Sequence, residues 1–213
     1  MKKLFVAIRQ GNLDTVKDLL QKKPELISCV AKQPPKKDDG QSPLQVAIKS
    51  GQFAIANYLL DCGADVNFME SPDCCNEWRM PVLQDAIMAA VMNCRWNRPH
   101  TLTPNTAENA DIAYALLKRM LTAGSDIYQT DSYGNSCLQR AILDARQILP
   151  RIYPNTEEIP VISQELRDDL SRIFHMLFDA GMDCNAVDKI RNIPLLECYE
   201  KEPVAEFLKL GLK

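Results

Sequence analysis

Histidine is nearly missing from this chain: there are two in 213 residues, His100 and His175. Imidazole is the usual general base and a common metal ligand near neutral pH, so hydrolytic or metal chemistry would have to be built largely without it. His175 lies in Ile173-Phe-His-Met-Leu177 and reads as a helix residue at a packing edge rather than as a base. No Gly-x-Ser-x-Gly, His-Glu-x-x-His or Gly-x-x-x-x-Gly-Lys-Ser/Thr pattern occurs, which leaves a nucleophile elbow, a zinc-protease helix and a phosphate loop unsupported. Long apolar runs are missing too. The densest, Ala86–Met92, is far short of the roughly 18 residues that span a bilayer. With a net charge of -3, the chain has no global basic field for nucleic acid or a membrane surface.

The opening Met1-Lys-Lys-Leu-Phe-Val-Ala-Ile8 imitates a secretory leader, but Arg9, Gln10 and Gly11 cut the apolar run before the roughly 7–15 residues such a leader needs. The eight cysteines (29, 62, 74, 75, 94, 137, 184 and 198) are irregularly spaced. Without an export signal they read as thiols in a reducing cytoplasm. Cys74-Cys75, with Cys62, Cys94 and His100, could supply soft ligands to zinc, but adjacent cysteines fit a tetrahedron poorly. Cys62, Cys137, Cys184 and Cys198 are expected to be small packing residues. The acidic pairs Glu157-Glu158 and Asp168-Asp169 do not share a face, and the second pair suits a helix N-terminus. No metal and no cofactor is expected.

What the chain does contain is repetition. Asp39-Gly-Gln-Ser-Pro-Leu-Gln-Val-Ala-Ile48 runs into a Gly51 break, and then into a segment ending Leu59-Leu-Asp-Cys-Gly-Ala-Asp-Val-Asn67. Leu44-Gln-Val-Ala-Ile48 recurs as Leu4-Phe-Val-Ala-Ile8, Leu83-Gln-Asp-Ala-Ile87, Leu138-Gln-Arg-Ala-Ile142 and, degenerate, Leu195-Leu-Glu-Cys-Tyr199. The ending recurs at Leu121–Ile127 and Leu177–Asn185, and in shortened form at Phe207–Gly211. Ser42-Pro43-Leu44-Gln45 and Ser136-Cys137-Leu138-Gln139 are capping boxes, the first with proline at N1. Ile55, Leu59 and Leu60 fall on one side of a 3.6-residue period, with Asn57 and Asp61 opposite. One such helix pair leaves an apolar face bare, so the units must stack.

These residues resemble the ankyrin repeat, a unit of about 33 residues, and the resemblance runs from about residue 3 to 211. It implies an all-α solenoid of stacked helix-turn-helix units with hairpin-like fingers projecting from one edge. Gln45, Gln84 and Gln139 stand where the family usually has histidine, and their amides are expected to bridge neighbouring turns. Five units follow in one domain, at about 1–37, 38–71, 72–129, 130–187 and 188–213, the outer two being caps. Helices are expected near 2–10, 12–22, 82–94, 107–122, 137–148 and 164–179. Units three and four carry insertions between their helices, 95–106 and 149–162, expected to lie side by side. Unit three also has an enlarged finger, 71–81.

The resemblance further implies that a protein partner docks against finger tips and exposed first-helix faces. Position by position this gives Asp38, Asp39, Gln41 and Lys49 from unit two, Ser132, Tyr133, Asn135 and Asp144 from unit four, and Lys189 and Arg191 from unit five. In the irregular finger of unit three, Glu77, Trp78 and Arg79 are candidates because Trp, Tyr and Arg often dominate interface energy. Trp78 could equally cover its own finger. Arg95, Trp96 and Arg98 with Arg151, Ile152 and Tyr153 form a second candidate patch, or simply pin the insertions to the stack. The expected function is non-enzymatic binding of another protein on a rigid concave face, as an adaptor or an immunity-type inhibitor, by a protein monomeric when free. The alternatives are a metal or enzymatic site in the insertions, or a structural homo-oligomer.

Overall fold

The computed structural model describes residues 1–96, 105–151, 161–188 and 191–212. Within them the helices come in pairs: α1 (Lys2–Arg9) with α2 (Leu13–Lys22), α3 (Pro43–Lys49) with α4 (Phe53–Asp61), and α5 (Val82–Met92) with α6 (Ala107–Thr122). The series continues with α7 (Cys137–Ile148) and α8 (Gln164–Asp179), then the short α9 (Leu195–Cys198) and α10 (Ala205–Leu208). Helices α1, α3, α5 and α7 pack in a row; α2, α4, α6 and α8 pack behind them. No strand occurs among the described residues, only an isolated bridge between Val187 and Pro194. The fold is an all-helical stack.

Side chains at the helix starts set where each helix begins. Asn12, Thr106 and Ser163 each accept a hydrogen bond from the backbone N–H three residues on, at 3.0, 3.2 and 3.3 Å. Both expected capping boxes form: Ser42 Oγ accepts from Gln45 N at 3.1 Å while Gln45 Oε1 accepts from Ser42 N at 3.2 Å. Ser136 and Gln139 do the same at 3.2 and 2.8 Å. A cap of this kind contributes about 1 kcal/mol. The helix ends differ slightly from expectation: α5 stops at Met92, and the Asn93 side chain donates to the Ala89 carbonyl at 2.8 Å.

One contiguous core runs from Leu4 to Leu208. In α4, Ile55, Ala56 and Leu59 are buried and Leu60 partly so, and truncating Leu59 to alanine would cost about 2–5 kcal/mol. At the far end the Phe174 and Phe207 ring centroids are 5.8 Å apart, sealing α8 against α10. Cys137 and Cys184 are buried as a packing role requires; Cys62, at the end of α4, is instead exposed.

Between the pairs the chain forms fingers. The first closes where Ala31 N donates to Gln41 O at 2.8 Å and Gly40 N to Ala31 O at 2.9 Å. Gly40 has φ +81°, and a Cβ there would stand 2.5 Å from Cys74 Cβ, so this finger rests against the base of the next through a contact only glycine permits.

Candidate functional site

The glutamines at the third position of the first helices tie each helix to the finger that follows. Gln45 Nε2 donates to Met80 O and to Asp85 Oδ2, both at 3.0 Å. Gln84 Nε2 donates to Asn135 O at 3.0 Å, and Gln139 Nε2 to Asp188 Oδ2 at 3.1 Å. A side-chain amide supplies the reach here, and its oxygen remains available for the capping box in Gln45 and Gln139.

The fingers of residues 77–80 and 131–135 are joined most tightly. Ser132 N donates to Arg79 O at 2.9 Å, Arg79 N donates to Ser132 Oγ at 3.1 Å, and that hydroxyl donates to Glu77 O at 2.9 Å. Trp78 Nε1 donates to Asp131 Oδ2 at 3.0 Å. Asp131 also accepts from Tyr133 N, Asn135 N and Asn135 Nδ2, at 2.9, 2.8 and 2.8 Å. The two fingers therefore present Trp78, 43% exposed, and Tyr133, 63% exposed, from one hydrogen-bonded body. Arg140 of α7 supports the indole from beneath, its guanidinium carbon 5.3 Å from the ring centroid. Arg140 in turn holds Asp144 in a bidentate pair at 2.8 and 2.5 Å. Burial pushes the Asp144 carboxyl up to about 6, against the opposing pull of Arg140.

On the neighbouring first helix, Asp85 is fully buried, and its Oδ1 has no hydrogen-bond partner. Lys49 Nζ stands 3.9 Å from that oxygen. Burial raises the carboxyl to about 7; the Lys49 charge opposes the rise and nearby Glu70 adds to it. Glu70 is itself buried, accepting from Gln41 Nε2 at 3.3 Å and from Met80 N at 3.1 Å.

Several expected partner-binding residues are thus engaged within the protein. Asp38 is buried against Arg9 at 2.6 Å. Asp39 accepts from Cys75 N at 2.9 Å and from Gln33 N at 3.2 Å, and chiefly the Cys75 bond holds its carboxyl below the ordinary value. Gln41 and Asp144 are buried. Lys49, Glu77, Trp78, Arg79, Ser132, Tyr133 and Asn135 belong to the joined fingers or the helix beside them. Arg191 stands apart, its guanidinium 5.3 Å from the Tyr199 ring centroid. Lys189 lies outside the described residues.

At the roots of the insertions, Arg95 grips Asp169 of α8 with three bonds of 2.9 Å. Burial tends to raise the Asp169 carboxyl, but the Arg95 and Arg172 bonds and charges overcome it and hold the group below its ordinary value. Asn105 Nδ2 closes the same root on the carbonyls of Met92 and Cys94, at 2.9 and 2.7 Å. Trp96 is partly buried against the core. Arg151 is exposed beside a cavity of about 620 Å³ that Arg146, Lys201 and Glu202 also line. Arg98, Ile152 and Tyr153, and also His100, lie outside the described residues. Among the described residues no three His, Cys, Asp or Glu side chains converge as metal ligands, and no helix is long and apolar enough to cross a membrane.

Asp85, Glu70, Asp131 and Arg140 were not among the residues expected from the sequence. A signal existed for two of them. Asp85 and Arg140 occupy the same place in the Leu-Gln-x-Ala-Ile motif that holds Val46 in the regular unit, so a charge in an apolar position marks each.

The geometry defines a class, a helical-repeat solenoid with projecting fingers. Residues 2–70 match the family model of ankyrin repeats (3 copies), and the all-helical stack of the described residues is consistent with an ankyrin-type solenoid. No curated protein matches it. Ankyrin repeats are in general modules of protein–protein interaction.

Proposed function

We propose that the chain is a non-enzymatic adaptor or immunity-type inhibitor, a single five-unit domain that captures one protein partner on the face built from fingers 77–80 and 131–135. The observation that carries this reading is the two-way Arg79–Ser132 bonding with the Trp78–Asp131 bond beside it, which fixes the Trp78 indole and the backbone that carries exposed Tyr133 before any partner arrives. A preorganised face loses little conformational entropy on docking, so a few anchors give useful affinity. The eight free thiols support a reducing cytoplasm as the compartment.

The test is affinity capture from the native host followed by mass spectrometry, with wild type and the Trp78→Ala/Tyr133→Ala double variant as baits. Loss of the captured protein with unchanged helical circular dichroism is expected. Retained capture by the double variant would refute this docking face.

A further inference from the structure

Three units carry the full Gly-x-Asp ending after the second helix; two of them close it with asparagine and one does not. Asn67 follows Gly63-Ala-Asp65-Val, and Asn185 follows Gly181-Met-Asp183-Cys; the same place after Gly124-Ser-Asp126-Ile is Tyr128. The turn itself is unchanged, since Asp65, Asp126 and Asp183 each accept from the backbone N–H two residues on, at 2.8, 2.9 and 2.8 Å.

What changes is the joint to the next unit. Asn67 Oδ1 accepts from Asp126 N at 2.7 Å, its Nδ2 donates to Gly124 O at 3.4 Å, and its own carbonyl accepts from Gln129 Nε2 at 3.2 Å. The corresponding groups one unit on are Gly181 O and Asp183 N, and Tyr128 makes no bond to either. Its ring stands 80% exposed.

In place of that ladder there is a groove of about 260 Å³ between residues 127–139 on one side and 181–187 with Leu195 on the other, lined by Ile127, Tyr128, Leu138, Met182, Asp183 and Val187 among others. Val187 is 55% exposed. Among the described residues no lysine or arginine lines the groove and none pairs with Asp183. A volume under the roughly 300–1,000 Å³ of typical small-molecule sites fits one or two side chains of a peptide better than a free metabolite.

We propose that this groove, which meets finger 131–135 at Gly134 but does not include Trp78 or Tyr133, is a second docking site, for a peptide segment with an apolar side chain and a lysine or arginine close to it in sequence. The apolar side chain fills the space between Ile127, Leu138 and Met182, and the cation meets the uncompensated carboxylate of Asp183. Apolar contact supplies affinity; the charge selects the segment. The site follows from Tyr128 replacing the ladder asparagine, so returning the asparagine should rebuild the joint and remove the site without harming the fold.

The experiment selects a phage-displayed library of random dodecapeptides on the immobilised full chain. Enriched peptides are then titrated by fluorescence anisotropy on wild type and on the Tyr128→Asn, Asp183→Asn and Trp78→Ala/Tyr133→Ala variants. The expected result is a consensus of an aliphatic or aromatic residue within a few positions of Lys or Arg. Affinity should fall at least tenfold on Tyr128→Asn and several-fold on Asp183→Asn, and be kept on the double variant. Circular dichroism should show Tyr128→Asn unfolding at or above the wild-type temperature. A consensus without the basic residue overturns the partner chemistry. Unchanged binding to Tyr128→Asn, no enrichment at all, or concentration-dependent dimerisation lost in Tyr128→Asn overturns the site. Binding lost only in the double variant supports the aromatic face and refutes the groove, so the two proposals fail separately.

Discussion

Asp85 gives the sharpest quantitative test. Its carboxyl titrates near 3.8 when free and near 7 in the fold, raised chiefly by burial. The sign follows from proton binding. Above pH 7 the group is ionised in both states, and the folded state bears the whole cost of a buried charge. As pH falls through 7, the folded state takes up a proton that the unfolded chain does not hold, so stability rises until about pH 3.8. The gap between the two values corresponds to about 4 kcal/mol at pH 8, of which about 2 kcal/mol is recovered by pH 5.5. Asp144, raised to about 6, acts in the same direction over the last part of that interval. In Asp85→Asn the neutral amide keeps an acceptor for Gln45 Nε2 but buries an N–H with no partner, which returns about 1–3 kcal/mol of the gain. The variant is therefore expected to be about 1–3 kcal/mol more stable than wild type at pH 8, and the difference should shift by about 2 kcal/mol in favour of wild type at pH 5.5. Urea denaturation followed by circular dichroism at pH 5.5, 7 and 8 measures it. A stability difference that does not change with pH would refute the reasoning, and so would a variant weaker than wild type at pH 8.

Other parts of the structure give further expectations. Gln45→Ala removes the donor to Met80 O and Asp85 and should cost about 1–3 kcal/mol in the same denaturation assay. Arg95→Ala removes the two side-chain bonds to Asp169 while leaving the backbone N–H bond of residue 95 and the Arg172 ion pair at 3.0 Å; a loss of about 2 kcal/mol is expected, with faster amide exchange at the C-terminus of α5. Maleimide labelling of the native protein, read by mass spectrometry of peptides, should modify exposed Cys62 first. It should spare Cys94 and Cys137, which are buried and whose thiols burial pushes up, the latter to about 12.

The helices were legible in the sequence because their signals are local. Ser42-Pro43-Leu44-Gln45 and Ser136–Gln139 state their own caps, and the ranges expected for α6, α7 and α8 are the ones observed. Side-chain partners were less legible because they come from the next unit. Asp38 and Gln41 occupy positions that resemble docking residues, yet Arg9 and Glu70, each 29 residues away, draw them inward. The same distance hides Asp131, whose part in fixing Trp78 depends on two fingers 53 residues apart in sequence. Arg95 and Trp96 look like a free patch until α8 supplies Asp169. Trp78 could cover its finger or stand exposed; its N–H is bonded to Asp131 of the next finger while 43% of the residue remains accessible.

The charges that interrupt the apolar motif connect stability to function. Along the row of first helices, one motif position reads Val6, Val46, Asp85, Arg140 and Glu197. A valine at each would satisfy the stack, as Val46 does, and a buried pair such as Arg140–Asp144 contributes little net stability over an apolar substitute. Asp85 carries a definite penalty at neutral pH. Charges of this kind in the middle of a regular array are where the demands of folding and of function separate. Here they have a visible use. Arg140 carries the indole of Trp78 and Asp144 holds Arg140; Glu70 accepts from the backbone N–H of Met80, the residue that ends the finger bearing that indole, and Asp85 shares the Gln45 amide with the Met80 carbonyl. The central pair of units therefore relinquishes part of its core to set one aromatic side chain on the surface, whereas the last joint relinquishes a hydrogen-bond ladder at Tyr128 to open a groove. Both departures lie on the finger side of the array, and the outer row α2, α4, α6 and α8 keeps its regular packing.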